Sequence, residues 1–443
     1  MESETSSIRE RSADRRLEKQ PQKPNLSDNF AVRTVVDFDD VTVLTVRITP
    51  DNKLWIVGLL NGTIKLIPVT GENAEGIKTL KVKEESTACV DLQCIPVQAK
   101  LSSEKNHRLV AVYASGYVRL WHYTGATVDS CLMATFTEQY IHRPDTQARQ
   151  NQKATNNQIL ACSCSPDSER FITGGDDCNI RVYDLNQMRC VRTCSSSFNA
   201  DKVDGHVMRI CALKYHPRGR ENTDYAHLFI SGGWDDTIHV WDDRLPCSLW
   251  TYAGPHIAGS DALDIEPLSN EILTSSWRRD TTMLQIWKFN EKVVRLARSR
   301  VTDSENQYSV AEKERQEIDA ILREKPLMEF PQEAMELRSK GYVAKWIGQN
   351  HFAFGGSDGN IVRILSRIKH KFSHCSVCLQ TIMGAQCSDL INVGKTASRK
   401  AFTWEQLSFL HECIRHDLLL RNVNYKPPIN HPQASAVARQ WLL

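Results

Sequence analysis

The sequence lacks the features that identify several large classes of protein. None of its 443 residues falls in an apolar run that approaches the roughly 20 residues of a membrane-spanning helix, which excludes helical membrane proteins. The net charge is only +2, so the sequence offers no bulk electrostatic attraction to nucleic acid or to an anionic membrane. Met1–Asn29 is polar throughout, and we therefore expect no signal peptide.

The sequence also lacks the short motifs of common enzyme classes. It contains no GxxxxGK(S/T) or GxGxxG phosphate-binding loop, no GxSxG nucleophile elbow and no HExxH zinc motif. Two pairs of neighbouring carboxylates, at 176–177 and 235–236, fall in predicted hairpin turns, where such pairs are ordinarily solvated or capping. The sequence therefore predicts neither an enzyme nor a bound cofactor.

The fourteen cysteines do not follow the spacing of a small disulfide-bonded scaffold. They are predicted to be reduced thiols, which favours a cytoplasmic or nuclear protein. Cys375, Cys378 and Cys387 resemble part of a zinc site, but a single CxxC without a second pair favours ordinary thiols and no metal.

The most informative stretch runs from Leu228 to Arg244. An apolar run over 228–230 stops at two glycines, and the aspartates at 235–236 predict a tight turn. Residues 237–242 then alternate with the period of two that a half-buried strand requires. The stretch therefore predicts a β-hairpin and favours an all-β fold.

Gly205-His206 before this hairpin and Trp241-Asp242 at its end make the segment resemble a WD repeat. In that family four polar side chains tie one repeat together: a His before the first strand, a Ser or Thr in the second, an Asp in the turn and a Trp in the third. A catalytic His–Asp pair is the less favoured alternative. The resemblance assigns the four structural roles to His206, Ser231, Asp235 and Trp241.

The pattern recurs along the chain. Thr173–Asp184 repeats the hairpin with Tyr in place of Trp, and Phe354–Ile364 repeats it with Phe354 and Ile364 at the Ser and Trp positions. Weaker copies lie at 45–69, 90–123 and 262–289. The residues at positions related to the four-residue set are Thr173, Asp177, Tyr183 and Asp358.

One repeat cannot bury its own faces, so the copies are expected to form one closed array. The resemblance implies an all-β, seven-bladed WD-repeat β-propeller, with six blades as the alternative, together with a helical insertion and a helical C-terminal tail. Residues 29–370 are assigned to the propeller, with insertions at 136–157 and 291–341. Residues 1–28 are predicted to be disordered, and 371–443 to be a degenerate closing blade followed by a helical extension.

Several smaller elements complete this expectation. Val32–Phe38 is predicted to be an outer strand that closes the ring against the last blade. Capping boxes predict helices over 309–325 and at the start of the tail at 403–443, each of which either packs on the propeller or docks a partner. Val377–Ile382 and Leu390–Val393 are candidate strands of a seventh blade.

The resemblance implies a rigid platform for protein or peptide docking. The predicted function is a non-enzymatic protein–protein interaction scaffold in a multiprotein complex, with no nucleic-acid or membrane partner. The ending Trp241-Asp242-Asp243-Arg244 also resembles the WDxR ending of substrate receptors in cullin-RING ubiquitin ligases, so Asp242 and Arg244 are candidate contacts to a ligase adaptor. A propeller-based enzyme is the third and least favoured alternative.

Overall fold

The computed structural model describes residues 31–32, 38, 41–51, 53–68, 76–95, 106–124, 130–142, 155–198, 203–278, 282–289, 295, 325–330, 340–347, 349–356, 361–368, 371–380 and 423–424. The disorder predicted for 1–28 and the helices predicted at 309–325 and within 403–443 lie outside these residues. So do Asp358, Cys387 and Leu390–Val393.

Six four-stranded antiparallel sheets account for most of the described residues, and in each sheet the strands pair in chain order. After the short strand β1 (Ala31–Val32), sheet 1 contains β2 (Val43–Ile48), β3 (Leu54–Leu59), β4 (Ile64–Pro68) and β5 (Lys78–Leu80). Sheet 2 contains β6 (Cys89–Ile95), β7 (Asn106–Tyr113), β8 (Tyr117–Thr124) and β9 (Ser130–Thr137). Sheet 3 contains β10 (Ile159–Cys164), β11 (Arg170–Gly175), β12 (Ile180–Asp184) and β13 (Arg189–Cys194).

The remaining three sheets follow the same plan. Sheet 4 contains β14 (Ile210–Tyr215), β15 (Leu228–Gly233), β16 (Thr237–Asp242) and β17 (Trp250–Ala253). Sheet 5 contains β18 (Leu263–Ile265), β19 (Glu271–Ser275), β20 (Leu284–Lys288) and β21 (Met328–Phe330). Sheet 6 contains β22 (Gly341–Trp346), β23 (His351–Gly356), β24 (Ile361–Ile368) and β25 (Lys371–Gln380).

Helical structure is scarce in the part of the chain that the structure describes. Two short 3-10 helices, Pro217–Arg220 and Thr223–Tyr225, lie between β14 and β15. Among the described residues, none forms a helix that is long and apolar enough to span a membrane.

The turn between the second and third strands shares one backbone feature in four sheets. One residue at the same place in each turn adopts a left-handed conformation: Gly62 (φ 76°), Gly116 (φ 84°), Cys178 (φ 65°) and Asp236 (φ 57°). Glycine adopts this conformation without steric cost, and aspartate tolerates it better than most residues do. Asn61-Gly62 and Asp235-Asp236 therefore occupy one structural position, whereas Asp176-Asp177 lies one residue earlier in its turn.

The second strand of a sheet also approaches the loop that precedes the first strand, and this close approach requires glycine. A Cβ atom at Gly233 would lie 2.5 Å from the carbonyl oxygen of Arg209, and one at Gly175 would collide with the carbonyl of Gln158. The second glycine of these two Gly-Gly pairs therefore leaves room for the backbone of the neighbouring loop.

The core consists of apolar layers between consecutive sheets. On sheet 4, Phe229 and Trp241 pack with Ile172 and Val182 of sheet 3, because alternate residues of a strand point to opposite faces. The other face of sheet 4, which includes Ile230, packs against sheet 5. Similar clusters join sheets 1 and 2, 2 and 3, and 5 and 6.

Charged residues on the first strands show that the row of sheets is curved. Arg47 of β2 lies 2.7 Å from Asp91 of β6 and 2.9 Å from Asp261, immediately before β18. Lys345 of β22 lies 2.7 Å from the same Asp261. Sheet 1 therefore contacts sheet 5, although three sheets separate the two in sequence, and the all-β fold is propeller-like.

The predicted strand at Val32–Phe38 is described only at its start. Ala31 and Val32 pair with Asn424 and Val423 of β26 (Val423–Asn424), in a separate two-stranded sheet. Residues 33–37 lie outside the described part of the chain, so the predicted pairing of this strand with the last blade stays a prediction.

The register of sheet 6 corrects one sequence assignment. Phe352 pairs with Leu365, just as Phe229 pairs with Trp241 in sheet 4. Leu365, and not Ile364, therefore occupies the Trp position, because the predicted alignment was displaced by one residue.

The last strand of sheet 6 corrects a second sequence assignment. Residues 377–380 belong to β25, which pairs with β24 and completes the sixth sheet. The expectation that these residues begin a seventh blade is therefore wrong, and sheet 6 extends beyond position 370. Cys375 and Cys378 lie on this strand, but their side chains are outside the described part of the chain, so the prediction of ordinary thiols and the zinc alternative both stay untested.

Candidate functional site

Four polar side chains of sheet 4 meet in a single hydrogen-bonded chain. His206 lies in the loop before β14, and its Nδ1 is 2.9 Å from a carboxylate oxygen of Asp235, in the turn between β15 and β16. Its Nε2 is 2.7 Å from the hydroxyl of Ser231 on β15. Trp241 on β16 donates its indole N–H to the same hydroxyl at 2.7 Å. The structure thus brings together all four residues that the resemblance singled out.

The carboxylate of Asp235 is stabilised in its charged form. Burial by itself opposes ionisation, but His206 and hydrogen bonds to the carboxylate outweigh it and hold the pKa of Asp235 well below its ordinary value. The bonds come from the backbone N–H of Val207 at 2.9 Å and the hydroxyl of Thr237 at 2.8 Å. Both nitrogens of the His206 ring and both oxygens of Asp235 are thus bound within the protein, as a structural role requires.

His239 lies beside this tetrad and raises the question of a metal site. His206, Asp235 and His239 can each offer a ligand atom within 4.8 Å of the others. The nitrogens of His206, however, already interact with Asp235 and Ser231, which leaves that ring no uncommitted lone pair for a metal. Burial, followed by the charge of His206, holds the pKa of His239 well below its ordinary value, so this imidazole stays neutral.

A second polar cluster joins sheets 3 and 4 at the opposite end of their strands. Asp243 accepts a hydrogen bond from the hydroxyl of Tyr215 at 2.9 Å and lies 2.6 Å from Nδ1 of His227. The guanidinium of Arg170 on β11 lies 3.3 Å from Asp243 and 2.6 Å from the same His227 nitrogen. His227, Asp242 and Asp243 are close enough to hold a metal, but the guanidinium already supplies positive charge there.

The candidate adaptor contacts also lie at this end of sheet 4. Arg244 donates two hydrogen bonds to Asp242, from Nε at 2.8 Å and from Nη2 at 2.6 Å. Asp242 is fully buried, whereas the side chain of Arg244 remains 39% exposed. The buried carboxylate therefore fixes the orientation of a guanidinium at the surface.

Sheet 3 builds a comparable network around a carboxylate. Glu138, immediately after β9, is buried and accepts hydrogen bonds from the hydroxyls of Thr173 and Tyr183, the latter at 3.0 Å. Asn157 donates to it at 3.1 Å, and Arg181 lies 3.1 Å from the same carboxylate. Burial raises the pKa of Glu138, although the charge of Arg181 and these hydrogen bonds oppose the rise.

Arg181 links this network to the turn of sheet 3. Its guanidinium lies 2.6 Å from the carboxylate of Asp177, which occupies the place that Asp235 has in sheet 4. Among the related positions, Thr173, Asp177 and Tyr183 thus lie together. Glu138 was not among the predicted site residues, because it falls in the polar segment 136–157, which has the composition of a solvated insertion. Tyr183 offers a clue, since a buried phenol at the Trp position needs an acceptor.

Sheet 2 contains a similar but smaller network around a buried carboxylate. Glu85, just before β6, accepts hydrogen bonds from Thr87 at 2.6 Å and Ser115 at 3.0 Å, and lies 2.5 Å from Arg119. Arg119 has the strand position that Arg181 has in sheet 3. Burial opposes ionisation of Glu85, but these partners prevail and lower its pKa.

Known proteins support the identification of these repeats. The family model described as "WD domain, G-beta repeat" matches residues 148–184 and 190–242, the segments that form most of sheets 3 and 4. A solved structure titled "Crystal Structure of Mitotic Checkpoint Complex" contains a similar chain, with 17% identity over 58% of this chain and a TM-score of 0.41. The match covers 66% of that chain, and a likeness of this TM-score is too weak to assign a function.

Proposed function

Because the WD-repeat family model matches residues 148–184 and 190–242, we propose that the chain is a non-enzymatic scaffold that docks protein partners in a multiprotein complex. One observation carries the proposal: the strongest constellation of titratable groups is committed to holding the sheets together. His206 and Asp235 bind each other and the neighbouring strand, so neither is presented to a substrate. The function of the fold then depends on the surface that it presents to partners.

An enzyme on this scaffold is the less favoured alternative. Catalysis would need convergent acid and base groups around a space for substrate. The described candidates instead pair with one another or with arginines, as Glu138 does with Arg181 and Asp243 with Arg170. We likewise propose no cofactor, no metal, and no nucleic-acid or membrane partner, and a cytoplasmic or nuclear location that follows from the expected reduced thiols.

Affinity purification of the full-length chain tests the scaffold proposal. We expect at least one protein to remain bound at a fixed stoichiometry through size-exclusion chromatography. A chain that ends at Gln380 keeps all six described sheets, whereas one that ends at Ser366 would remove β25. Comparison with the full chain therefore separates binding by the sheets from binding by the tail. A chain that elutes alone and turns over a small-molecule substrate would contradict the proposal.

A second candidate function, a substrate receptor of a cullin-RING ubiquitin ligase, is favoured by one observation. Asp242 holds the Arg244 guanidinium at the surface in a fixed orientation, which suits a contact residue. In an adaptor pull-down, Arg244→Ala should weaken binding about 30-fold, as loss of a central arginine does. The exposed Arg189 on another sheet provides the control variant Arg189→Ala. Absence of adaptor binding by the wild-type chain would eliminate this candidate.

A further inference from the structure

One surface position recurs in five of the described sheets. It lies one residue after the second strand in sheets 1 to 4 and two residues after it in sheet 5, and its backbone N–H bonds to a carbonyl oxygen in the loop before the first strand; we call it the turn position. The bond lengths lie between 2.8 and 3.1 Å. In chain order, the residues at this position are Leu60, Ala114, Asp176, Trp234 and Trp277.

The two tryptophans occupy the turn position of consecutive sheets and are physically linked. The His256 ring packs against Trp234 with 5.4 Å between ring centroids, and its carbonyl oxygen accepts the backbone N–H of Trp277 at 2.8 Å. A cation lies over each indole: Arg209 is 4.3 Å from the ring of Trp234, and Lys340 is 4.4 Å from that of Trp277. The result is one row of three aromatic residues, Trp234, His256 and Trp277, with a cation at each end.

Exposed apolar side chains border the row at sheet 4. Trp234 is 37% exposed, and Met208 in the adjoining loop is 52% exposed. Tryptophan, methionine and arginine are the residues enriched in the centre of protein interfaces, where tryptophan and arginine supply much of the binding energy. We define the tryptophan surface as Met208, Arg209, Trp234, Trp277, Arg278 and Lys340.

The charges of the tryptophan surface indicate the chemistry of its partner. Among the described residues it carries three cations, and the carboxylates paired with them are Asp176, 2.7 Å from Arg209, and Asp236, 2.7 Å from Arg278. The local charge balance of these described residues is therefore positive. The carboxylates interleaved among the cations, and a net charge of only +2 for the whole chain, disfavour a nucleic-acid backbone.

We propose that the tryptophan surface binds an extended acidic protein segment that carries a large apolar side chain. The apolar side chain packs on Trp234 and Met208, and carboxylates on either side pair with Arg209, Arg278 or Lys340. This assignment rests on the proposed scaffold function and names the site and the chemistry of the partner.

Peptide selection tests the assignment directly. A library of random twelve-residue peptides is selected on the full-length wild-type chain, with counter-selection on the double variant Trp234→Ala/Trp277→Ala. We expect the enriched peptides to contain acidic residues next to a Phe, Trp, Leu or Met. The affinity of the best peptide should fall about 30-fold in the double variant. Its affinity should also decrease more steeply with salt concentration for the wild type than for the variant Arg209→Gln/Arg278→Gln.

Two matched variants control for general loss of apolar surface. Leu60→Ala alters the turn position of sheet 1, and Leu268→Ala alters an exposed leucine at the opposite end of sheet 5; both side chains are at least half exposed, at 50% and 66%. Neither should change peptide affinity by more than about 2-fold. Thermal unfolding of every variant is measured in parallel, so that a folding defect is distinguished from a binding defect.

Three outcomes overturn the assignment: enrichment of basic peptides, no peptide that distinguishes the wild type from the double variant, or Trp234-dependent binding of a 20-nucleotide single-stranded DNA. If natural partners still co-purify with the double variant, the tryptophan surface is not their site and the scaffold function stands. If no partner co-purifies with the wild type, the scaffold function fails first.

Discussion

Sheets 3 and 4 share one backbone arrangement but satisfy their buried polar groups by different chemistry. In sheet 4 the centre is an imidazole, His206, between Asp235 and Ser231. In sheet 3 the centre is the carboxylate of Glu138, which Thr173 and Arg181 hold. The strand registers agree, since Thr173 opposes Arg181 as Ser231 opposes His239.

The difference shows that the repeat requires a satisfied network and not one particular set of residues. A buried hydroxyl at the Ser or Thr position needs a partner in the preceding loop, and either an imidazole or a carboxylate can serve. The carboxylate solution adds a full buried charge, so it also needs a cation close by. Sheet 3 should therefore depend more strongly on its arginine than sheet 4 does on any single residue.

Replacing Arg181 with alanine should have the largest effect on this comparison. The change would leave Glu138 and Asp177 buried without their shared cation, and removal of one partner from a buried ion pair costs about 3–5 kcal/mol. The free energy of unfolding, measured by urea titration, should fall by that amount. Arg189→Ala, on the exposed β13 of the same sheet, is the control and should cost less than about 0.5 kcal/mol. Equal stability of the two variants would refute the argument.

Removing the central hydroxyl of each sheet should have a smaller effect. Ser231→Ala strands the indole N–H of Trp241 and a ring nitrogen of His206, at a cost of about 2 kcal/mol. Thr173→Val keeps the side-chain shape and leaves Glu138 its other donors, so we expect about 1 kcal/mol. Urea midpoints of both variants, measured at the same pH, decide the order. The reverse order would mean that the carboxylate network is the more fragile one.

A shift from pH 7 to pH 6 should have the smallest effect on stability, and this effect should come from a histidine of sheet 4. Burial, with a smaller contribution from the charge of Arg218, lowers the pKa of His216 in sheet 4 to about 4. The unfolded chain takes up a proton as the pH falls through about 6.5, while the native His216 does not, so the fold loses stability on acidification. The urea midpoint of the wild type should therefore decrease slightly between these two pH values.

His216→Asn provides the control for this pH effect. His216 caps a 3-10 helix by accepting the backbone N–H of Arg218 at 3.3 Å, and asparagine can do the same. The variant should lose part of the pH dependence and keep the helix cap. An unchanged pH dependence in the variant would assign it to other groups, such as the buried His239.

The sequence predicted the hairpins well because their signals are local. The two glycines and the Asp-Asp turn at 232–236 require a particular backbone, and β15 and β16 lie on either side of that turn. The WD-repeat resemblance is confirmed by the family match over 148–184 and 190–242. The predicted Trp position in sheet 6, Ile364, was one residue away from the observed one, Leu365. An apolar strand without Trp offers no residue that fixes its register.

The networks of sheet 3 were only partly predictable. Thr173 and Tyr183 follow from the repeat pattern, but Glu138 precedes a long polar stretch, and no residue spacing connects it to them. Its position depends on the antiparallel bridge between Gln139 and Asn156, which closes the base of that stretch. Likewise, the exposure of Trp234 and its link to Trp277 depend on the packing of two sheets, which periodicity within one strand does not reveal.

The turn position has a consequence for how such a molecule can acquire new partners. Main-chain bonds hold it in place whether the side chain is leucine, alanine, aspartate or tryptophan. Substitutions there can vary the recognition surface while the sheets beneath stay intact, so evolution or a designer can change specificity one codon at a time. A combinatorial library limited to these five sites would sample many binding specificities on a single unaltered framework.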